Sequence, residues 1–400
     1  MKYKLVCFVL LLAGFAGVEG QGVKFDKYFT GGTLRLDCVR EGDVERDTVW
    51  VERWLDRSAE WHGSRRALID PFDNGEYRVE MLDDKSGKVI YAQGYSTLFR
   101  EWREMAREKG LKERGRMEET LLLPMPKKKV KIVLMKRDKE MRLVTQTTTL
   151  FDPKHKDLEF NYHIGESVAL EVHGSPAEKV DVVIVAQGYP DANDSQLQVD
   201  YYRMREILFA KEPFASRRDD FNVYGVCADV NADFNTFDID RYVMTQDVWR
   251  LHNMLGTTPC DYIIIMVNSG KYGGGAIYNF YSVTTMHGMA KDVLPHELGH
   301  GIGGLADEYV DENLSYGELH VTDYEPLEPN ITNQKQFEKK WKAMMGVDGV
   351  GLYEGAGYMP KGLWRPTEHC MMRDYAPFCP VCRKRLEEVI DWRIGKEAKK

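Results

Sequence analysis

Residues 294–309 read Leu294-Pro295-His296-Glu297-Leu298-Gly299-His300-Gly301-Ile302-Gly303-Gly304-Leu305-Ala306-Asp307-Glu308-Tyr309. On a helix, His296 and His300 lie four residues apart and share one face, so both imidazoles can reach one ion. Glu297 follows the first histidine and can reach a water at that ion instead of the ion itself. Pro295 is expected in the first turn, where it forfeits no hydrogen bond. With 10 His among 400 residues, chance supplies about 0.02 such His-Glu-x-x-His matches per chain, so the pattern outweighs a pair of surface histidines.

Working outward, Gly303 and Gly304 can end the helix in a left-handed conformation and turn the chain back. A third ligand then arrives from beyond the turn. The metzincin pattern places a glycine three residues after the second histidine and a ligand histidine three further on. Gly303 fits, but the last position is Ala306, which cannot bind a metal. We expect Asp307 as the third ligand, with the turn one residue longer and Gly304 as its glycine. Glu308 is the alternative ligand, or a partner for a ligand imidazole. Two imidazoles, one carboxylate and an open position favour a single catalytic Zn2+. The expected chemistry is hydrolysis of peptide bonds in protein substrates, with Glu297 as general base. The competing reading is a noncatalytic protein- or glycan-binding protein with a structural metal. Glu297 argues against it, because a structural site has no use for a base.

The flanking sequence predicts a mixed architecture. Val180–Val185 and Tyr262–Val267 are near-continuous apolar runs that suit strands buried on both faces. Tyr201–Lys211 and Thr245–Leu255 carry apolar residues at helical spacing. Alternating buried strands and helices argue for an α/β unit over residues 166–400. Residues 21–165 instead show period-two runs such as Thr33–Asp37 and Val130–Leu134, separated by turn signals at Asn74-Gly75 and Ser86-Gly87. A β-sandwich packed beside the catalytic unit is expected there. Phe99–Glu119 is dense in Arg and Glu and reads as a solvated helix or excursion.

Composition narrows the class. Hydrophobic content of 43% with 30% charged residues is that of a globular protein. A net charge of -8 argues against a nucleic-acid binder resting on phosphate contacts. Lys2, Lys4 and the apolar run Leu5–Val18 have the layout of a signal peptide over residues 1–20, too short for a membrane span. An exported protein is expected, secreted, periplasmic or at the cell surface, with no transmembrane span once the leader is removed. Of the 7 cysteines, Cys7 lies in the leader. The other six form an even set that favours disulfides in an exported chain. Cys370, Cys379 and Cys382 are expected to form at least one local bridge, ahead of redox chemistry or a second zinc. For a zinc site there, His369 is the only further donor nearby in sequence.

Several blocks in order resemble the IgA peptidase family of zinc metallopeptidases (metallopeptidase family 64). They include Val182–Tyr189, Pro213–Ala215, Phe221–Tyr224, Tyr262–Ser269, Tyr272–Gly275, the motif helix with Leu305–Tyr309, Glu354–Tyr358, Trp364–Pro366, Cys370–Arg373 and Phe378–Cys382. Phe29–Asp37 resembles the N-terminal β-sandwich of that family. The resemblance implies a metzincin-like fold and endopeptidase activity, without implying that immunoglobulin is the substrate. Met372 stands where such a protein would place the methionine beneath its metal. The glycine-rich Gly273–Ile277 is read as an edge strand that could pair with a peptide backbone, or as a turn.

Overall fold

The computed structural model describes residues 22–154, 158–160, 166–311 and 323–396. The expected leader at residues 1–20 lies outside them. The N-terminal part runs α1 (Phe25–Tyr28), β1 (Phe29–Gly42), β2 (Asp47–Glu60), β3 (Tyr77–Asp83), β4 (Val89–Tyr95), α2 (Leu98–Glu108), β5 (Gly115–Pro126), β6 (Val130–Arg137), β7 (Leu143–Phe151) and β8 (Leu158–Phe160). The C-terminal part runs β9 (Ser167–Glu171), β10 (Val180–Gln187), α3 (Ser195–Leu208), β11 (Phe221–Cys227), α4 (Val248–Leu255), β12 (Tyr262–Val267), β13 (Gly274–Ile277), β14 (Tyr281–Thr285), α5 (Ala290–Gly301), β15 (Tyr353–Ala356), β16 (Met359–Arg365), α6 (Met371–Asp374) and α7 (Pro380–Arg393).

Two four-stranded sheets, β5-β1-β2-β8 and β4-β3-β6-β7, form the N-terminal part. They enclose one core, in which Leu34 and Leu36 of β1 meet Val79 and Met81 of β3 and Ile132 and Leu134 of β6. Alternation along β1 sends Arg35 and Asp37 to the opposite face. That face is not solvated. Both residues are fully buried and form a two-pronged ion pair at 2.7 and 2.9 Å. Arg35 also donates to Asn253 Oδ1 and to the Trp249 carbonyl of α4. Arg57 donates to the carbonyls of Gly256 and Thr258 just beyond that helix. The polar face of β1 and β2 is thus a docking face for the second unit.

The C-terminal part is built on a six-stranded sheet of order β13-β14-β12-β10-β11-β9. β10 pairs in parallel with β11 and β12, and β12 with β14, while β13 and β9 are antiparallel edges. The two apolar runs feed both faces. Val182, Ile184, Tyr262, Ile264 and Met266 join the core under α3, α5 and α7. Val183, Val185, Ile263, Ile265 and Val267 join the core under α4. Each run is apolar toward both sides because each face of the sheet is covered.

The Arg- and Glu-rich segment departs from expectation. Its first part is a helix, α2, as one of the two readings had it, but it is not solvated, and β5 follows it. Leu98, Phe99, Trp102 and Ala106 pack into the core with α4, and Phe99 is fully buried. The charges are paired off: Arg103 meets Glu76 at 2.6 Å, and Arg107 meets Glu104 at 2.6 Å. An amphipathic helix of the N-terminal part therefore completes the core of the C-terminal sheet. Phe99→Ala should destabilise the full chain by about 3–5 kcal/mol, the usual cost of emptying a buried aromatic site. Urea denaturation of wild type and variant measures this. A change below about 1 kcal/mol would show that α2 is not part of that core.

Candidate metal centre

The motif helix α5 begins at Ala290, earlier than expected, so Pro295 sits inside it instead of in its first turn. The lost hydrogen bond is the one to the Lys291 carbonyl, and Lys291 is on the exposed side, where water can reach. The helix end follows expectation in kind. Gly304 has φ +60° and its N–H returns to the His300 carbonyl at 3.0 Å, a left-handed cap. A Cβ on Gly304 would sit 1.9 Å from Nδ2 of Asn74, which donates to the Gly304 carbonyl. Glycine is required there both by backbone conformation and by this close approach of the N-terminal part.

His296 and His300 face each other with their Nε2 atoms 3.1 Å apart. Each Nδ1 is committed to a backbone carbonyl, His296 to Met371 at 3.0 Å and His300 to Leu305 at 2.7 Å. Those bonds fix the tautomer that leaves Nε2 as the lone-pair donor. Asp307 Oδ1 lies 3.1 Å from His296 Nε2 and 3.4 Å from His300 Nε2 and has no other hydrogen-bond partner, although it is buried. Two imidazole nitrogens and one carboxylate oxygen therefore converge within 4.8 Å of one another. This N2O donor set, with an orphaned buried oxygen and both Nδ1 atoms anchored, fits a catalytic divalent metal. Burial alone would lower the His300 pKa, but the Asp307 carboxylate outweighs it and pushes it up to about 9. Burial opposes the Asp307 charge, and the two imidazoles overcome it, holding the carboxyl well below the usual range.

Three further residues place Asp307. Tyr358 donates to Asp307 Oδ2 from the β15–β16 hairpin, and Gly357 N–H donates to the Asp307 carbonyl at 2.9 Å. Asn330 takes the Ala306 N–H at 2.8 Å and returns its amide to the Ala306 carbonyl at 2.8 Å and to Glu308 Oε1 at 2.9 Å. Asn330 lies in a glycosylation-type Asn-Ile-Thr triplet, yet it is fully buried and serves this clamp.

Asp307 and Glu308 diverge. Asp307 joins the histidines, whereas Glu308 joins Cys370, Cys379 and Cys382. The structure thus does not place Glu308 against an imidazole. Burial and the nearby Cys379 raise Glu308 to about 8. The expected local disulfide is not formed. All six described cysteines are unbridged, and the three C-terminal sulfurs gather around the Glu308 carboxylate.

Glu297 lines a cleft of about 530 Å³ together with His296, His300 and Asp307. Burial raises its pKa above the ordinary carboxylate value against the pull of the two histidines. The glycine-rich segment is the edge strand β13, one wall of this cleft. A Cβ on Gly274 would come 2.8 Å from Val293 and 3.0 Å from Glu297 Oε1, so the glycine makes room for the base. Met372 is fully buried beneath the helix, its sulfur 2.4 Å from where a Cβ on Gly299 would stand. Tyr375 also lines the cleft, its ring edge-on to His296 and its hydroxyl 2.8 Å from that of Tyr272. The N-terminal part contributes Asn74, Arg100 and Glu101 to the same cleft.

A family model described as IgA Peptidase M64 matches residues 168–349 and 346–390. A second, described as Peptidase M64 N-terminus, matches residues 24–148. A search of curated proteins finds no match.

Asn330→Ala would leave the Ala306 N–H and carbonyl buried without partners and take one of the two donors from Glu308 Oε1. Each such group costs about 1–3 kcal/mol, so urea denaturation should show a loss of at least about 2 kcal/mol. Asn330→Asp, which keeps the acceptor for the Ala306 N–H but brings a second acid to Glu308, should not restore wild-type stability.

Proposed function

The chain belongs to the IgA peptidase M64 family of metallopeptidases, and on that premise we propose that it is an exported zinc-dependent endopeptidase. The observation that carries this reading is the convergence of His296 Nε2, His300 Nε2 and Asp307 Oδ1 beside a half-buried Glu297 in a cleft. His296, His300 and Asp307 would hold the ion, and the donor set suits zinc. When bound, the metal would supply a Lewis acid that polarises the scissile carbonyl and acidifies a water.

The remaining chemistry belongs to the protein. Glu297 accepts the proton of the attacking water on its carboxylate and passes it to the leaving amine. A carboxylate whose pKa is raised by burial is a stronger base toward the water than an exposed one, and it holds the proton until the departing amine takes it. Gly274 keeps the Glu297 carboxylate unobstructed. Tyr358 and the Gly357 N–H orient Asp307, and the Met371 and Leu305 carbonyls orient the imidazoles. The edge strand β13 is suited to receive an extended peptide by backbone pairing. The histidine-bearing helix, the glycine turn behind it and Met372 beneath it support a metzincin-like arrangement. Among the described residues, no helix is long and apolar enough to cross a membrane. Export rests on the leader-like residues 1–20, and the division into parts 21–165 and 166–400 rests on the change of sequence pattern near residue 165.

Glu297→Gln removes the base while keeping the shape and every metal donor. Cleavage of a mixed peptide library should fall by about 10²–10⁴-fold, with zinc content by mass spectrometry unchanged. Retained cleavage would remove Glu297 from the mechanism. In the same assay His300→Ala and Asp307→Ala should each lose the histidine-bound zinc, and zinc surviving Asp307→Ala would move the third ligand elsewhere.

A further inference from the structure

Across the Ala306–Glu308 segment from the histidines, one donor atom each from Glu308, Cys370, Cys379 and Cys382 lies within 4.8 Å of the others. Glu308, Cys370 and Cys382 are fully buried and Cys379 nearly so. None of the four lines the catalytic cleft. Zinc–sulfur bonds of about 2.3 Å at tetrahedral angles put sulfurs about 3.7 Å apart, so small side-chain adjustments would seat all four donors on one ion.

The local backbone is arranged for thiolates. Cys379 caps α7, Pro380 opens it, and the Cys382 N–H donates to Cys379 Sγ at 3.5 Å. The Cys379 N–H donates to Cys370 Sγ at 3.4 Å. Backbone donors and a helix N-terminus both favour negative sulfur. Cys382 Sγ lies 3.2 Å from Glu308 Oε1, and Glu308 Oε2 is buried with no hydrogen-bond partner. A buried, unpartnered carboxylate oxygen on a residue grouped with three buried sulfurs is costly unless a cation satisfies it.

We infer that Glu308, Cys370, Cys379 and Cys382 bind a second metal ion, a structural Zn2+ held by three thiolates and one carboxylate. Four protein donors close the coordination, as in structural rather than catalytic zinc sites. The ion would act on the first site through the backbone. Glu308 is the neighbour of Asp307, and its N–H donates to the Met372 carbonyl at 2.7 Å. Cys370 precedes Met371, whose carbonyl takes His296 Nδ1. The ion therefore ties together the two segments that aim Asp307 and His296, while touching no reacting atom.

The test uses the full mature chain purified without reductant or chelator. Metal per chain is counted by mass spectrometry, thiols are counted by alkylation and intact mass, and the spectrum is recorded after replacement with Co2+. Wild type should carry two equivalents of zinc, no disulfide among the three cysteines and a thiolate-to-cobalt charge-transfer band. The Cys379→Ser, Cys382→Ser double variant should lose one equivalent and the band. The His296→Ala, His300→Ala variant should lose one equivalent and keep the band, which separates this site from the catalytic one. Wild type with no thiolate band, or with two of the three sulfurs blocked as a disulfide, overturns the inference. If the cysteine variant does not fold, the wild-type spectrum and thiol count still decide.

Discussion

The segment Gly304–Glu308 must leave the motif helix, reverse direction and present two acids to opposite sides. Three sets of backbone hydrogen bonds impose this: the left-handed Gly304 cap, the Asn330 clamp on Ala306, and the Glu308 N–H bond to Met372. Once the segment is held, Asp307 meets the imidazoles and the Tyr358 hydroxyl, and Glu308 meets the cysteine sulfurs and the Asn330 amide. The clamp is neutral and uses one amide in full, so it holds charge-bearing neighbours in place without adding a charge to a buried region.

The N-terminal part is bound into this arrangement. Asn74 reaches the Gly304 carbonyl, α2 fills the core beneath the C-terminal sheet, Arg35 donates to Asn253 and to the Trp249 carbonyl of α4, and Arg57 donates to the carbonyls just beyond that helix. These arginines give up solvent for carbonyl and carboxylate partners whose geometry is fixed by β-strands. Such contacts are costly to break one partner at a time, because the other is left buried and unpaired. The two parts share packing and one wall of the cleft, so a substitution in the first can reach the chemistry of the second through position alone.

Much of the fold was legible. Val180–Val185 and Tyr262–Val267 are strands because burial on both faces removes the polar alternation, and that signature is local. The helices α3 and α4 carry their period in the sequence too, with boundaries shifted by a few residues. Phe99–Glu119 misled for a physical reason. A charge-dense segment reads as solvated when its counter-charges are distant in sequence, and Glu76 lies 27 residues before Arg103. The burial of Arg35 has no local signature either, since its partners in α4 are more than two hundred residues on.

By itself the sequence determined that His296, Glu297 and His300 share a helix, that the chain turns at a glycine behind them, and that an acid from the next stretch can return. These follow from helical periodicity and from glycine's access to positive φ, which act over a few residues. Only the tertiary structure set Asp307 beside the imidazoles and Glu308 beside the cysteines, enlisted Asn330 and Tyr358, and gathered three cysteines around a carboxylate instead of into a disulfide. Those outcomes depend on which distant backbone groups come within hydrogen-bond reach, and no local pattern encodes that distance.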